Sequence, residues 1–420
     1  MSSGSSFALK EERKKVETKE AAQALFKSLQ EAIDSKEFTK FSSLKFSGMS
    51  FSYEAAKVLA ELLPELKGVD VLDVSDIIAG QETEEARKVL KVLSGAAKDM
   101  GLTSVLMNEN ALGSNGIAAS EDLLKGNKNI KELSFNDCGL ESEAGKLISE
   151  YILSNGKPSK IEKFQIFNNC LTSAGAITLC PLFENSPLLA DIRVSSTRIS
   201  REGGEAIAMA MVKCRNLVNV DLSDNSFGEG AGAIFQEKVF PGQKKLKRLD
   251  LSGTGIGEKH CVGILKSLVN DEIDLELLGM SENDISSDSA TVIAAYIKQC
   301  CALKVLNLEG NELKSEGATQ ICNALVESKC PIETINLYNN EITALTVPAL
   351  IKLIRSKPSL KKLNLDANMI SAKGVNVIKD TLKELKKDDC LDEMEMNDDE
   401  NEEGEDDIDG LTKMLEGLST

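Results

Sequence analysis

The 420-residue chain has no tryptophan, a single histidine (His260) and no apolar run near the roughly 18–20 residues a membrane-spanning helix needs. Its start, MSSGSSFALKEERKK, lacks the apolar core of a signal peptide. Ten cysteines are scattered without a C-x-x-C pair, apart from the neighbours Cys300 and Cys301. With one histidine, a zinc site would need clustered thiolates that the spacing does not offer, so no metal site is expected. The thiols read as reduced side chains packed as small hydrophobes. Missing too are the G-x-x-x-x-G-K-[ST] phosphate loop, a G-x-G-x-x-G after a strand and the H-E-x-x-H zinc helix. A serine nucleophile in a strand–helix elbow is absent, and one histidine gives a Ser-His-Asp triad little support. No cofactor is implied. Nor is there a basic stripe of the kind nucleic acid demands.

Charge is plentiful but uneven. The net charge is −18, and fourteen of the carboxylates fall in residues 388–409 without a lysine or arginine. The rest of the chain is therefore close to balanced. Residues 388–420 are expected to form an acidic, largely disordered tail, up to about residue 407, because such a composition cannot bury a core. Beyond it, Ile408, Leu411, Leu415 and Leu418 could share one face of a short helix.

One phrase recurs. NENALGSNG (108–116), NLEGNELKSEG (307–317), NLYNNEITALT (336–346) and NLDANMISAKG (364–374) restate L-x-x-L-x-L-x-x-N-x-L followed by a helical stretch. The N slot falls at Asn110, Cys138, Asn169, Thr197, Asn225, Thr254, Asn283, Asn311, Asn340 and Asn368, at intervals of 28 to 31 residues. So steady a period marks leucine-rich repeats. In L-x-L the leucines point inward at period 2, and the N-slot side chain serves backbone groups left unpaired by the turn. Runs such as EGATQICNALVES (316–328) carry apolar residues at helical spacing. The GG at 203–204 opens such a helix and needs no phosphate. The fold class is thus α/β, a leucine-rich-repeat solenoid of the ribonuclease-inhibitor type. We expect a crescent with parallel strands on the concave face and helices on the convex face. Weaker copies at 43–63 and 69–93 bring the total to about twelve repeats between 41 and 385. Residues 1–40 read as an N-terminal helical cap, with Ala22, Leu25, Phe26, Leu29 and Ile33 on one face, and residues 41–387 as the repeat domain.

The stretch KELSFNDCGL (131–140) places Asn136, Asp137 and Cys138 in a row. They could form a reactive site, a ligand set or a turn. The period puts Cys138 in an N slot, where a turn residue is the simplest reading.

The wording of the repeats resembles the Ran GTPase-activating proteins, from about residue 20 to the acidic tail. VSDIIAGQETEEA (74–86), NENALGSNG (108–116), LSFNDCGL (133–140) and SSTRISREGG (195–204) carry the likeness, the last looking most like plant members. The resemblance implies a regulator of the GTPase Ran rather than an enzyme with its own active site. Such a protein presses a leucine-rich edge against GTP-bound Ran, orders the GTPase's own glutamine and places an asparagine nearby, without an inserted arginine. That asparagine falls where this chain has Asp137, just after Asn136, and these two are the candidate catalytic positions. Where the family reads Gly-Arg, a Ran-contacting arginine, this chain reads Gly80-Gln81. Gln81, Asn110 and Asn168 are the candidate partner-binding residues on the rim of repeats two to five. The resemblance further implies a cytoplasmic monomer in nucleocytoplasmic transport, reaching to the nuclear periphery, with no nucleic acid or membrane bound. Neither the Trp- and Pro-rich N-terminal targeting domain of plant members nor the animal-type C-terminal domain is expected. The competing reading is a non-catalytic scaffold that binds Ran or another protein.

Overall fold

The computed structural model describes residues 5–9, 13–36, 41–398, 400–401 and 403–404. It divides into two compact units, one ending at Leu217 and the other beginning at Val218.

In the first unit, β1 (Ser5–Ala8), β2 (Lys14–Val16), β3 (Phe41–Lys45), β4 (Met49–Phe51), β5 (Val71–Asp73) and β6 (Ser104–Leu106) precede β7 (Glu132–Ser134), β8 (Lys163–Phe167) and β9 (Asp191–Ser195). β1, β3 and β5–β9 form one parallel sheet in chain order, while β2 and β4 pair separately. The register puts Leu44, Leu72, Val105, Leu133, Phe164 and Ile192 side by side in one row, all buried. The second unit repeats the plan with β10 (Asn219–Asp221), β11 (Arg248–Asp250), β12 (Leu277–Gly279), β13 (Val305–Asn307), β14 (Thr334–Asn336) and β15 (Lys362–Asn364). Its row runs Val220, Leu249, Leu278, Leu306, Ile335 and Leu363. Each unit thus contributes six of the twelve expected repeats, and Leu306, Leu308 and Leu313 are fully buried. The fold class is the expected leucine-rich-repeat solenoid: parallel strands, each followed by a helix that returns the chain.

Small residues let those helices lie close. A Cβ on Gly145, in the helix Ser142–Leu153, would stand 2.3 Å from the carbonyl oxygen of Gly175 in the next helix, so only glycine fits. A Cβ on Gly203 would meet Ser173 Cα at 2.7 Å, which accounts for the glycine pair at 203–204 by packing alone.

The N-slot side chains tie neighbouring turns together. Asn169 Oδ1 accepts from the backbone of Cys138 (3.2 Å) and Leu140 (2.8 Å), and its Nδ2 donates to the carbonyls of Phe135 and Phe167. Buried backbone groups left open by each turn are satisfied by the next repeat's asparagine. The first two repeats keep the geometry without the amide. By spacing, Met49 and Ile77 stand in their slots, 28 residues apart, and Asn110 Oδ1 takes the backbone N–H groups of Ile77 and Ile78.

Both ends differ from expectation. The described part of the N-terminal segment holds the helices Lys19–Leu25 and Lys27–Asp34, with Ala22, Phe26, Leu29 and Ala32 buried and Leu25 and Ile33 half-buried. It also contributes the strands β1 and β2. Phe7, Phe26, Phe41, Phe46 and Phe51 close that end through ring pairs 5.7–5.8 Å apart. At the other end the hydrogen-bonded array runs past Lys387. Asn397 stands 29 residues after Asn368 and does an N-slot residue's work: its Oδ1 accepts from Ile370 N (3.0 Å) and its Nδ2 donates to Ile370 O (2.6 Å). Asp392 N and Asp398 N bond to Leu363 O and Asn368 O. Residues 388–398 therefore cover the last repeat instead of being disordered, because an acidic composition does not prevent backbone pairing along an open edge. The Ile408–Leu418 face lies outside the described residues.

Candidate functional site

The residue just before each N slot sits where the chain leaves the sheet. In every repeat from the second on it takes the left-handed conformation: Asp76, Glu109, Asp137, Asn168, Ser196, Asp224, Gly253, Glu282, Gly310, Asn339 and Ala367 all have φ between 49° and 63°. Glycine, asparagine and aspartate tolerate that region best. The row forms the strand-to-helix rim, and Glu109, Asp137 and Asn168 form three consecutive steps of it.

Around Asp137 the rim is tightly tied. Its backbone N–H donates to Phe167 O (2.8 Å), and its carboxylate accepts from Asn168 Nδ2. Asp137 and Asn168 are both exposed. Asn136, half-buried on the open face of the sheet, belongs to a second ladder. Asn108 Oδ1 accepts from Asn136 N (2.8 Å) and Ser134 Oγ (2.6 Å), while Asn136 Oδ1 accepts from Phe167 N (2.9 Å). Asn136 Nδ2 donates to Ser134 Oγ at 3.2 Å. Arg193 stacks its guanidinium 3.9 Å from the centre of the Phe167 ring, and its Nε donates to Ser195 Oγ. Beside this ladder, burial opposes ionisation of Glu132. Hydrogen bonds from Ser104 and Lys163 more than offset that cost, and its carboxyl lies below the usual range.

The candidate residues separate into three kinds. Asn136, Asp137 and Asn168 come together on adjacent repeats. Gln81 stands apart: its Nε2 donates to Ser50 Oγ and Phe51 O, both at 3.1 Å, so the side chain turns into the first repeat. Asn110 is fully buried, with Oδ1 on Ile77 and Ile78 and Nδ2 on the carbonyls of Val74, Met107 and Asn108. It cannot reach a partner. Its place is architectural, as its N slot requires.

Cys138 is architectural as well. Its thiol lies under the rim, donating to Met107 O (3.0 Å), and burial pushes its pKa up to about 12. A thiol cannot copy the acceptor of an N-slot amide, and Leu112 N bonds locally to Asn110 O instead. His260 is buried, with Nδ1 2.8 Å from Gln236 Oε1, and burial lowers its pKa. A hollow of about 270 Å³ on the helix side, lined by Arg87, Lys91, Asn115 and Glu121, includes none of the rim residues.

Sequence reasoning missed Asn108, Phe167 and Arg193, which hold or flank Asn136. The signal was available: all three occupy outward positions of the repeat, at the same two offsets from successive N slots. It also missed the cations of β2 and the residue before it. Arg13 pairs with Asp76 on the rim, and Lys15 Nζ lies 3.5 Å from Gly80 O. No local pattern joins residues more than sixty positions apart.

A sheet of L-x-L strands closed by amide-bearing turns, with a fixed polar rim, defines a leucine-rich-repeat protein of the ribonuclease-inhibitor type. A family model described as Leucine Rich repeat matches residues 299–322. Pig ribonuclease inhibitor is 23% identical over 75% of this chain and 74% of its own. The yeast Rad7–Elc1 complex structure contains a chain of similar fold, with TM-score 0.50 and 14% identity over 86% of this chain and 81% of that one. RAN GTPase-activating protein 2 of Arabidopsis thaliana is 33% identical over 91% of this chain and 69% of its own length. The Drosophila melanogaster Ran GTPase-activating protein is 26% identical over 69% of this chain and 50% of its own. The chain belongs to the Ran GTPase-activating protein family. Among its described residues no helix is long and apolar enough to cross a membrane.

Proposed function

We propose that this protein stimulates GTP hydrolysis by Ran, docking the rim of its first unit against the GTP-bound GTPase. The observation that carries the reading is the Asn136–Asp137–Asn168 cluster, fixed on adjacent turns by the backbone of Phe167. It offers a positioned amide and a carboxylate but no base–nucleophile pair. An activator of this kind supplies position rather than proton transfer, and the chemistry belongs to the GTPase and its bound nucleotide. Asn136 and Asp137 touch the reacting site in this reading, Asn168 lies against the partner, and Gln81 acts by anchoring the 76–81 turn. The protein works as a cytoplasmic monomer in nucleocytoplasmic transport, regulating an enzyme and needing neither cofactor, nucleic acid nor membrane.

Two features favour the second reading, a scaffold that binds Ran without accelerating it. Asp137 brings negative charge where phosphate charge must be offset, and Gln81 turns its amide inward. Single-turnover hydrolysis by GTP-loaded Ran, with and without the protein, separates the two. Acceleration that falls in Asn136→Ala supports activation. Binding with an unchanged hydrolysis rate supports the scaffold.

A further inference from the structure

We infer that Arg13 and Lys15 form a cationic step on this rim, one that meets an acidic patch of the GTPase and sets the register in which it docks. The inference rests on the docking face proposed above and adds the charge pattern that the partner must carry.

The segment is placed by its backbone, not by its charges. β2 lies outside the main sheet and runs parallel to β4, with Lys14 opposite Met49, Lys15 opposite Ser50 and Val16 opposite Phe51. Val16 is buried, and Ser52 N donates to its carbonyl at 3.0 Å. Ser52 Oγ fixes the following residue through Glu17 O (2.7 Å). The strand is therefore laid along the rising turn of the first repeat, beside the 76–81 turn of the second.

The side chains that emerge there are all cations. Arg13, Lys14 and Lys15 are exposed in a chain of net charge −18. Arg13 pairs with Asp76, yet its side chain keeps 65% of its surface open while that of Asp76 keeps 11%. An ion pair with so exposed a member contributes little to stability, at most about 1 kcal/mol. What the pair does is neutralise the rim acid at the second repeat and hold a guanidinium above it. Lys15 Nζ is held near the Gly80 carbonyl on the same turn.

The next two rim steps are Glu109 and Asp137, both carboxylates in the same left-handed position. Along one edge the sign runs from cation to anion. Neighbouring strands are roughly 5 Å apart, less than the Debye length of about 8 Å at physiological salt, so adjacent steps act on a partner together. A surface with acidic groups opposite residues 13–15 and basic groups opposite Glu109 and Asp137 gains at both ends. Sliding by a repeat brings like charges together, which is how charge pattern fixes register.

The test is the association rate with GTP-loaded Ran at low and high salt, for the unaltered protein, R13E/K15E and the charge-conserving R13K/K15R, with thermal midpoints measured in parallel. We expect R13E/K15E to associate roughly tenfold more slowly at low salt, with the gap closing at high salt. Its midpoint should match the unaltered protein, and R13K/K15R should restore the rate. Equal or faster association by R13E/K15E at low salt overturns the inference, as does a loss that persists unchanged at high salt. Hydrolysis is read separately. A protein that associates with Ran without accelerating hydrolysis sinks the activator reading and leaves the charge test intact; one that does not associate at all sinks both.

Discussion

Asn136 Oδ1 accepts the backbone N–H of Phe167 at 2.9 Å, so the side chain nearest the proposed chemistry also supports the next strand. The same contact recurs one repeat earlier, where Asn108 Oδ1 takes Asn136 N, and before that where Ser75 Oγ takes Asn108 N. The ladder stops at Phe167, whose ring has no acceptor and is covered by Arg193. Asn136 is its last amide.

This double role makes the acceptor and the donor separable. Asn136→Ala leaves Phe167 N–H without its partner and should cost about 1 kcal/mol in denaturant unfolding, along with a lower hydrolysis rate. Asn136→Asp keeps the acceptor and removes the donor, so stability should be retained while single-turnover hydrolysis falls. If Asn136→Asp hydrolyses at the unaltered rate, the Nδ2 group has no part in the reaction.

Asp137 offers the complementary experiment. Its left-handed backbone suits asparagine as well as aspartate, so Asp137→Asn should fold with unchanged stability. It removes a negative charge from the docking face and should hydrolyse as fast or faster. Asp137→Ala keeps the φ but loses the polar side chain, costing on the order of 1 kcal/mol and changing hydrolysis. Should neither Asp137→Ala nor Asn136→Ala alter single-turnover hydrolysis, the site is elsewhere.

The repeat was legible because its slots are chemically narrow: leucines at period 2 and an amide at one turn position, every 28 to 31 residues. Where another residue fills the slot the signal fades, and Met49 and Ile77 hid the geometry of the first two turns. Asn397 was obscured by its acidic neighbours, although its spacing from Asn368 was regular. Asn110 misled in the opposite direction, since a polar residue in a functional-looking phrase is also what an N slot needs. The pairing of Arg13 with Asp76 depends on tertiary folding and has no local signature.

Thiol chemistry should follow burial. Eight of the ten cysteines are buried, Cys170 is partly covered and Cys301 is exposed. Burial pushes Cys138, Cys180, Cys214, Cys261, Cys300 and Cys322 up to about 12, far from the thiolate that reacts. At pH 8 a disulfide reagent should label native protein in one fast phase that Cys301→Ser abolishes, and all ten thiols in denaturant. Rapid labelling of Cys138 in native protein would contradict its place beneath the rim.

The tail divides at Asp398, and the two parts should behave differently when removed. Ending the chain at Lys387 strips Asn397 from Ile370, frees Leu363 O and Asn368 O, and takes away the buried Cys390. With hydrogen bonds near 1 kcal/mol each and an end of the repeat core uncovered, the loss should be at least about 2 kcal/mol. Ending the chain at Asp398 keeps those contacts and removes the carboxylates that follow, so unfolding in denaturant should match the full chain. That shorter truncation is therefore the one that isolates charge. If the acidic residues speed approach to a basic patch on Ran, association should slow at low ionic strength and the difference should vanish as salt screens it. Equal association of the full chain and the Asp398 variant at low salt would leave the distal tail only a solubilising role. Equal stability of the Lys387 variant would show that residues 388–398 do not close the array.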